Sequence, residues 1–385
     1  MVYPKKSVIS KNPLYLLSLV PVLALASPAF AGNDTPPTTS LADHAEPGSV
    51  IVWPKFQTGS VNVNPGTAGA FVAPKTLIEL GAVCPADMNG CGGKDNTVTV
   101  HLQWVCPGVA EFEQPSVCPA TDFFVNLTYG PNNAQKITFN PFAMSGPSPS
   151  DYNGNTQVPT APCPKGYLIG WAVNSTTGAP IVFNGLVGDS VQRNMGPDLQ
   201  QETAITIQGI GTELNNINLV NGGLPFDGQS GHYAAVTGQV TGDVSFDSDV
   251  NAPFHNEALI FLNLDIQAGQ ENDPVYVPLD FYNYNELQFS TDWEFTCWGQ
   301  VELSQGLDPF LTTEGMGSYG GSTRHDKGLV ISGQAFDAIL GQSVPRTLLG
   351  VIQTTEGPGP WNATTSYDTP YFNNSVPVTT TFYPN

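Results

Sequence analysis

The chain has 385 residues, with 12 Lys and Arg against 33 Asp and Glu, which gives a formal net charge of −21. Charged residues make up 12% of the sequence, about half of the quarter that is usual in soluble proteins. So few cations argue against a nucleic-acid partner, because phosphate contacts need clustered Lys and Arg. Intrinsic disorder is also disfavoured, since 40% hydrophobic residues supply enough surface for a core.

The first 31 residues have the pattern of a secretory signal peptide of bacterial type. Lys5, Lys6 and Lys11 precede an apolar run from Leu14 to Ala26, and Ala29-Phe30-Ala31 is a small-x-small cleavage site. The run is too short to span a bilayer. Cleavage after Ala31 would leave nine basic and 33 acidic residues, a net charge of −24. We expect a secreted or periplasmic product without a transmembrane anchor.

Six cysteines predict disulfide bonds in such an oxidising compartment. Six cysteines allow 15 pairings, and the sequence does not select one. Local closure favours Cys84–Cys91 and Cys106–Cys118, which leaves Cys163–Cys297 as a long-range bridge. A zinc site would need closely spaced ligand pairs, and the sequence has none.

Alternating hydrophobicity with a period of two predicts strands along the chain. The pattern is clear over Val98–Cys106 and Phe123–Tyr129, and a turn then lets Lys136–Phe139 return as a hairpin partner. Residues Ala258–Ile266 begin apolar on both faces, which is typical of a central strand. The longest alternation covers Leu287–Cys297.

These strands and the turn residues between them predict an all-β fold. Forty Gly and 34 Pro divide the chain into short pieces, and no long segment has a helical apolar stripe. We expect a disulfide-stapled β-sandwich, jelly-roll-like or an elaborated Greek key, with two packed β subdomains as an alternative. Residues 32–48 read as a flexible lead-in and 49–385 as the sandwich domain, with an alternative split near 194–231. No internal repeat is convincing.

Two catalytic motifs are incomplete. Gly188-Asp189-Ser190 resembles the nucleophile block of GDS-type esterases, but no later histidine has an aspartate three residues before it, so a turn is the better interpretation. The nucleophile elbow fails at Ser230, because His232 stands where a glycine is required. His101 falls on the polar face of a strand and is expected to be solvent-exposed.

An acidic segment offers the ligands of a cation site. Asp243, Asp247, Asp249 and Asn251 bring oxygen ligands together at a spacing that suits calcium. The segment lacks the glycine and the bidentate glutamate of an EF-hand. A solvated acidic turn is the alternative interpretation.

An aromatic cluster lies near the end of the longest alternating run. By parity, Trp293 belongs to the core, and Trp298 belongs to the polar face with Asp292 and Glu294. An exposed Trp298 could stack on a sugar ring, whereas packing under a loop is the plainer alternative.

Several motifs together resemble those of a group of secreted bacterial β-rich proteins that carry no assigned function. The similarity rests on Lys165–Trp171, Phe183–Asp189, Phe295–Trp298 and Lys327–Val330, and it extends over roughly residues 48–380. The resemblance implies secretion and one coherent architecture. It brings no catalytic residues with it.

The sequence therefore predicts an exported structural or binding protein of the cell surface or extracellular matrix, non-catalytic, stabilised by calcium or self-assembling. A polysaccharide is one expected partner, and Ser49–Trp53 could add a strand to the edge of a neighbouring subunit. The alternative is a secreted carbohydrate-active hydrolase with two carboxylates, for which Asp292, Glu294 and Glu302 are the candidates.

Overall fold

The computed structural model describes most of the chain from residue 46 onward. The described ranges are 46–58, 61–62, 71–72, 75–108, 114–141, 157–193, 199–246, 254–282, 288–302, 326–334, 336–337, 345–357, 364–368, 371–372 and 377–385. All of them belong to one compact unit, Thr38–Asn385. Within these ranges no helix has the length and apolar character needed to cross a membrane.

The described residues form antiparallel strands and one short 3-10 helix over Ala86–Gly93. The strands are β1 (Val50–Gln57), β2 (Val61–Asn62), β3 (Phe71–Val72), β4 (Lys75–Ala82), β5 (Asn96–Val105), β6 (Ser116–Val117), β7 (Ala120–Tyr129), β8 (Lys136–Phe139), β9 (Lys165–Val173), β10 (Leu186–Arg193), β11 (Leu199–Thr203), β12 (Ile205–Ile207), β13 (Leu224–Phe226), β14 (Val236–Thr237), β15 (Gln239–Phe246), β16 (Phe254–Leu262), β17 (Glu271–Asn272), β18 (Val275–Tyr282), β19 (Gln288–Phe295), β20 (Trp298–Glu302), β21 (Asp326–Gln334), β22 (Phe336–Asp337), β23 (Leu349–Gly357), β24 (Thr364–Asp368), β25 (Tyr371–Phe372), β26 (Pro377–Val378) and β27 (Thr380–Phe382). The predicted all-β fold is thereby confirmed.

Four sheets carry most of the strands. Sheet 1 has the order β8-β4-β10-β11, and sheet 2 has the order β12-β1-β9-β5-β7. Sheet 3 has the order β20-β16-β23-β24, and sheet 4 has the order β19-β18-β21-β15-β25, with β22 also paired to β18. Short two-stranded pairs, β13–β27, β14–β26, β6–β17 and β2–β3, complete the described part.

The sheets stack in numerical order, with an apolar core in each of the three spaces between them. Alternation along each strand creates these cores. On β5, Leu102 and Trp104 face sheet 1, whereas Val105 joins the central core between sheets 2 and 3. On β16, Ile260 faces the central core and Phe261 faces sheet 4. The prediction that this strand is central and buried on both faces is confirmed.

The two halves of the stack repeat one topology. Sheets 1 and 2 form the first sandwich, and sheets 3 and 4 form the second. When the short strand β22 is left out, nine strands of each sandwich, numbered by chain order, occupy the same places: 5-2-7-8 in sheets 1 and 3 and 9-1-6-3-4 in sheets 2 and 4. The sequence analysis found no convincing internal repeat, but the strand order of the structure repeats.

Three disulfides staple the fold, and one of the three predicted pairings is confirmed. Cys84 bonds Cys91 as expected, but Cys106 bonds Cys163 and Cys118 bonds Cys297. The predicted Cys106–Cys118 and Cys163–Cys297 bridges were wrong. Residue 106 follows β5 and residue 163 precedes β9, which is the neighbour of β5 in sheet 2. Sheet neighbours, more than separation along the chain, determine the partners.

Two strand predictions were wrong in their pairing or in their end. Strand β8 does not return beside β7 but crosses to sheet 1 and pairs with β4. The long run predicted to end at Cys297 stops at Phe295, and after a bend the chain enters sheet 3 as β20. The bend at Thr296 and Cys297 breaks the parity on which the expected position of Trp298 depended.

Strand β1 contains the segment that was expected to reach another subunit. Val50, Ile51 and Val52 instead pair with β12 on one side and β9 on the other within the same chain. These residues are fully buried. The interpretation of Ser49–Trp53 as a strand donor was wrong, because alternate residues of this strand fill two cores of its own molecule.

Candidate functional site

A groove crosses the outer face of sheet 1. Its volume is about 350 Å³. Its apolar floor includes Gly81, Val187 and Ala204, contributed by β4, β10 and the residue that links β11 to β12. Polar side chains also line it, namely Glu46, Glu79, Lys136, Asp189, Thr203 and Thr206. An apolar floor with a few directed polar groups is the usual composition of a ligand site.

Two carboxylates face each other across the groove. Glu79 on β4 and Asp189 on β10 are direct register partners, so their side chains emerge on the same side of the sheet. Lys136 on β8 donates to Oε2 of Glu79 at 2.6 Å. This ion pair offsets part of the repulsion between the two acids.

A second hollow adjoins the groove at Glu46 and Pro47, which line both. Its volume is about 440 Å³, and Asp87, Asn184 and Glu213 also line it. The backbone N–H of Asn184 donates to both carboxylate oxygens of Glu213, at 3.0 and 3.3 Å. Burial raises the pKa of Glu213, and the Asn184 hydrogen bonds counter the rise.

The residues around Asn184 form a rigid network. Ser49 Oγ donates to Asn184 Oδ1 at 2.8 Å and accepts the N–H of Phe183 at 2.8 Å. Asn184 Oδ1 also accepts the N–H of Gly209 at 2.7 Å. One wall of the hollow is therefore held by bonds between three separate segments. Such a wall presents its polar groups in a fixed geometry.

Groove and hollow together offer many hydrogen-bond acceptors and few cations. Carboxylates, amide oxygens and hydroxyls accept bonds from hydroxyl or amino groups, and the apolar floor suits the faces of sugar rings. An anionic ligand would meet Glu46, Glu79 and Asp189 with only Lys136 to favour it.

Trp298 does not provide a sugar-stacking surface. Its side chain is 4% exposed and lies in the central core, and its Nε1 donates to the carbonyl oxygen of Pro54 at 2.7 Å. The prediction of an exposed Trp298 was wrong, because the bend before β20 turns its side chain toward sheet 2.

The three acids chosen for a hydrolase lie on two sheets. Asp292 and Glu294 are two residues apart on β19 of sheet 4, and Glu302 ends β20 in sheet 3. None of them lines the groove.

Most of the predicted calcium segment falls outside the described residues. Asp247, Asp249 and Asn251 lie there, and Asp243 is on β15, opposite Leu329 of β21. Within the described ranges, no three His, Cys, Asp or Glu side chains are grouped so that they could hold a metal ion. The calcium site stays a prediction.

The remaining motif residues have structural positions. Gly188-Asp189-Ser190 is not a turn but the middle of β10, and Ser190 is buried on its inner side. His232 lies in a loop, as expected, with Nδ1 at 2.9 Å from the carboxylate of Asp227. His101 is not freely exposed: its ring stacks on Phe124, and burial lowers its pKa.

The sequence reasoning missed the groove pair. Glu79 and Asp189 are far apart in the chain; Glu79 interrupts the apolar part of β4, whereas Asp189 lies in β10, where half of the residues are polar. A charged residue within an apolar run, as at Glu79, is a signal that could have been used. It does not show which strands are neighbours.

The sequence matches no protein-family model, and no curated protein sequence is significantly similar to it.

Proposed function

We propose that the protein is an exported, non-catalytic binding protein that holds an envelope polysaccharide in the groove of sheet 1. The carrying observation is the groove itself, which combines an apolar floor with the facing acids Glu79 and Asp189. A chain of sugar rings presents hydroxyl donors and flat apolar faces, which match these two features.

The scaffold supports a binding role because a disulfide and a hydrogen bond link its two sandwiches. The Cys118–Cys297 disulfide joins the first sandwich to the second, and Tyr167 Oη donates to the carbonyl oxygen of Asn263 across the central core. A preformed site costs a ligand less ordering entropy on binding. Three disulfides and the signal-peptide pattern support export.

The charge of the groove indicates which polymers should bind. Neutral or amine-bearing polysaccharides fit an acidic groove, whereas polyuronates would be repelled by Glu46, Glu79 and Asp189. Binding to an amine-bearing polymer should weaken with added salt more than binding to a neutral one.

The test measures retention of the exported protein on neutral, amine-bearing and acidic polysaccharides. A Gly81→Phe variant should lose at least about tenfold in affinity, or about 1.4 kcal/mol. A Cβ at Gly81 would lie 3.5 Å from Val187 Cγ2, an ordinary contact, so the new ring fills the groove without backbone strain. Ser175→Phe, exposed and outside the groove, is the matched control. Equal binding by wild type and Gly81→Phe would refute the proposal.

A carbohydrate hydrolase is the second candidate, and one observation favours it. Glu79 and Asp189 are direct cross-strand neighbours on one face of sheet 1, and a pair of carboxylates close together is what a glycosidase requires. Release of reducing ends, measured in the same assay, would favour this candidate if Glu79→Gln and Asp189→Asn each abolished it. Retention without release favours the binding protein.

A further inference from the structure

The groove and the hollow follow one another along the strands of sheet 1. Strand β4 ends at Ala82, and β10 begins opposite that residue at Leu186. The end of β4 and Val83 line the groove, and the chain then continues into Cys84, Ala86 and Asp87, which line the hollow. The hollow therefore lies beyond the end of β4, so a ligand that lies along this strand in the groove points toward it.

Two other segments of the chain also run from the groove into the hollow. On the β10 side, Val187 lines the groove, and Asn184, three residues earlier, lines the hollow. On the β12 side, Thr206 lines the groove, and Gln208, just after the strand, lines the hollow. Three separate segments thus contribute to both cavities, and the two cavities form one continuous surface.

A short segment, Glu46–Gly48, marks the border between the groove and the hollow. Its first two residues line both cavities. Gln208 Nε2 donates to Oε2 of Glu46 at 2.8 Å, and the backbone of Gly48 exchanges two hydrogen bonds with Leu186, at 2.9 and 3.1 Å. The border is therefore held in place from two sides. Because Glu46 lines both cavities, its carboxylate is available to ligand groups on either side.

The size of the groove favours a ligand that continues past its end. Its volume of about 350 Å³ is near the lower limit of ligand sites, which span about 300–1,000 Å³. From Glu79 to Ala82, β4 advances by three residues, or about 10 Å. A polymer held over this distance has to leave the groove at its ends. The hollow, of about 440 Å³, lies at one of them.

The hollow offers hydrogen-bond acceptors that suit sugar hydroxyls. A carboxylate has about four acceptor positions, and the backbone N–H of Asn184 uses one on each oxygen of Glu213. The remaining positions of Glu213 can accept from a ligand. Asp87 adds an exposed carboxylate in the same cavity. The hollow therefore has the chemistry needed to bind a second part of the polymer that occupies the groove.

We propose that the groove and the hollow are two subsites for consecutive parts of one polysaccharide chain, which runs along β4 and crosses the border at Glu46–Gly48. This inference rests on the proposed function of the groove and specifies its ligand as an extended chain. Once the first part is bound, the second meets its subsite at a high effective concentration. Affinity should therefore depend on the length of the ligand.

The test measures affinity against ligand length by isothermal titration calorimetry. The probes are oligosaccharides prepared by partial hydrolysis and size fractionation of the polysaccharide that the exported protein retains. Affinity should rise at least about tenfold at the length that first reaches the hollow, with one long oligosaccharide bound per protein. A merely gradual rise, in proportion to length, would reflect only the number of binding positions along the oligosaccharide and would overturn the proposal.

A blocked hollow should remove this rise in affinity. Ala86 is exposed and lines the hollow, so Ala86→Phe places a ring inside it. This variant should bind long oligosaccharides at least about tenfold more weakly than wild type and short ones equally well. Ser175→Phe, exposed and outside both cavities, is the matched control. Near-ultraviolet circular dichroism establishes folding, and Asp87→Phe replaces Ala86→Phe if that variant does not fold.

The outcomes separate this inference from the proposed function. Gly81→Phe should weaken the binding of all lengths, and if it has no effect the proposed function itself is wrong. If Gly81→Phe weakens binding but wild type and Ala86→Phe depend equally on length, the groove is the whole site and the two-subsite proposal is overturned. Two long oligosaccharides per protein would also overturn it, because separate ligands would then occupy the two cavities. Retention of no polysaccharide would overturn both proposals.

Discussion

Among the described residues, Gln103 is the clearest case of a buried polar side chain without hydrogen-bond partners. It lies on β5 beside the central core, is fully buried, and has no hydrogen-bond partner within the described ranges for either polar atom of its side chain. A buried amide without partners costs about 1–3 kcal/mol of stability. We expect Gln103→Met, which keeps a similar shape, to raise the free energy of unfolding by about that amount.

Urea denaturation measures this change, and Ser49→Ala is the matched comparison at another fully buried polar residue. Ser49 accepts the N–H of Phe183, so its loss leaves a buried donor unpaired and should cost about 1–3 kcal/mol. The two substitutions should have opposite signs. A destabilised Gln103→Met protein would mean that the amide is satisfied in solution.

At the scale of elements, the disulfides differ in what they hold. Cys84–Cys91 closes a separation of seven residues around the 3-10 helix, whereas Cys118–Cys297 spans 179 residues and joins the approach to β7 with the bend between β19 and β20. Longer closed loops restrict the unfolded chain more. The Cys118–Cys297 bond thus closes the longer loop, and it also links the first sandwich to the second.

We expect paired alanine variants to show this difference. Cys118→Ala/Cys297→Ala should lower the free energy of unfolding by about 4–5 kcal/mol, and Cys84→Ala/Cys91→Ala by about 2 kcal/mol. Guanidinium unfolding of each double variant measures the loss without leaving a free thiol from the deleted bond. Equal losses would show that loop length does not govern the stabilisation here.

The pairings also show where alternation along the sequence stops being informative. It identified β5, β7 and β16, because a strand with one buried face must repeat with a period of two. It failed at Thr296 and Cys297, where a bend moves the chain from sheet 4 to sheet 3. Parity counted through a bend reverses the assignment of faces, so Trp298 was placed on the wrong side.

At the scale of the whole molecule, the central core makes the two sandwiches interdependent. Trp171 and Ile205 of sheet 2 share one apolar cluster with Ile260 and Val351 of sheet 3. Separating the sandwiches would expose this cluster to water at roughly 25 cal/mol per Å² of apolar surface. Each sandwich therefore relies on the other for part of its stability.

We expect the protein to unfold in a single calorimetric transition, with equal calorimetric and van't Hoff enthalpies. Trp298→Ala removes a large side chain from the shared cluster and should destabilise by about 3–5 kcal/mol. It should lower the temperature of the one transition without splitting it. Two separate transitions in the wild-type protein would contradict the shared core.

The groove also shows which features can be read from the sequence and which depend on strand pairing. The sequence marks Glu79 as a charge within an apolar run, but its neighbour Asp189 lies more than a hundred residues further along the chain. Only the pairing of β4 with β10 makes them neighbours. The repeat was hidden for a related reason, since Lys-Gly-x-x-Ile on β9 and β21 is a short match, and the register gives it meaning.

The amino-acid sequence was sufficient for the class of fold, because alternation, turn residues and the absence of a helical stripe are local properties of the chain. It was also sufficient for the acidic, cation-poor surface and for disulfide chemistry. The partners of each strand, the Cys106–Cys163 and Cys118–Cys297 disulfides and the burial of Trp298 required the tertiary structure. Alternating hydrophobicity predicts that a residue faces a core, but the packing of the sheets determines which core it faces.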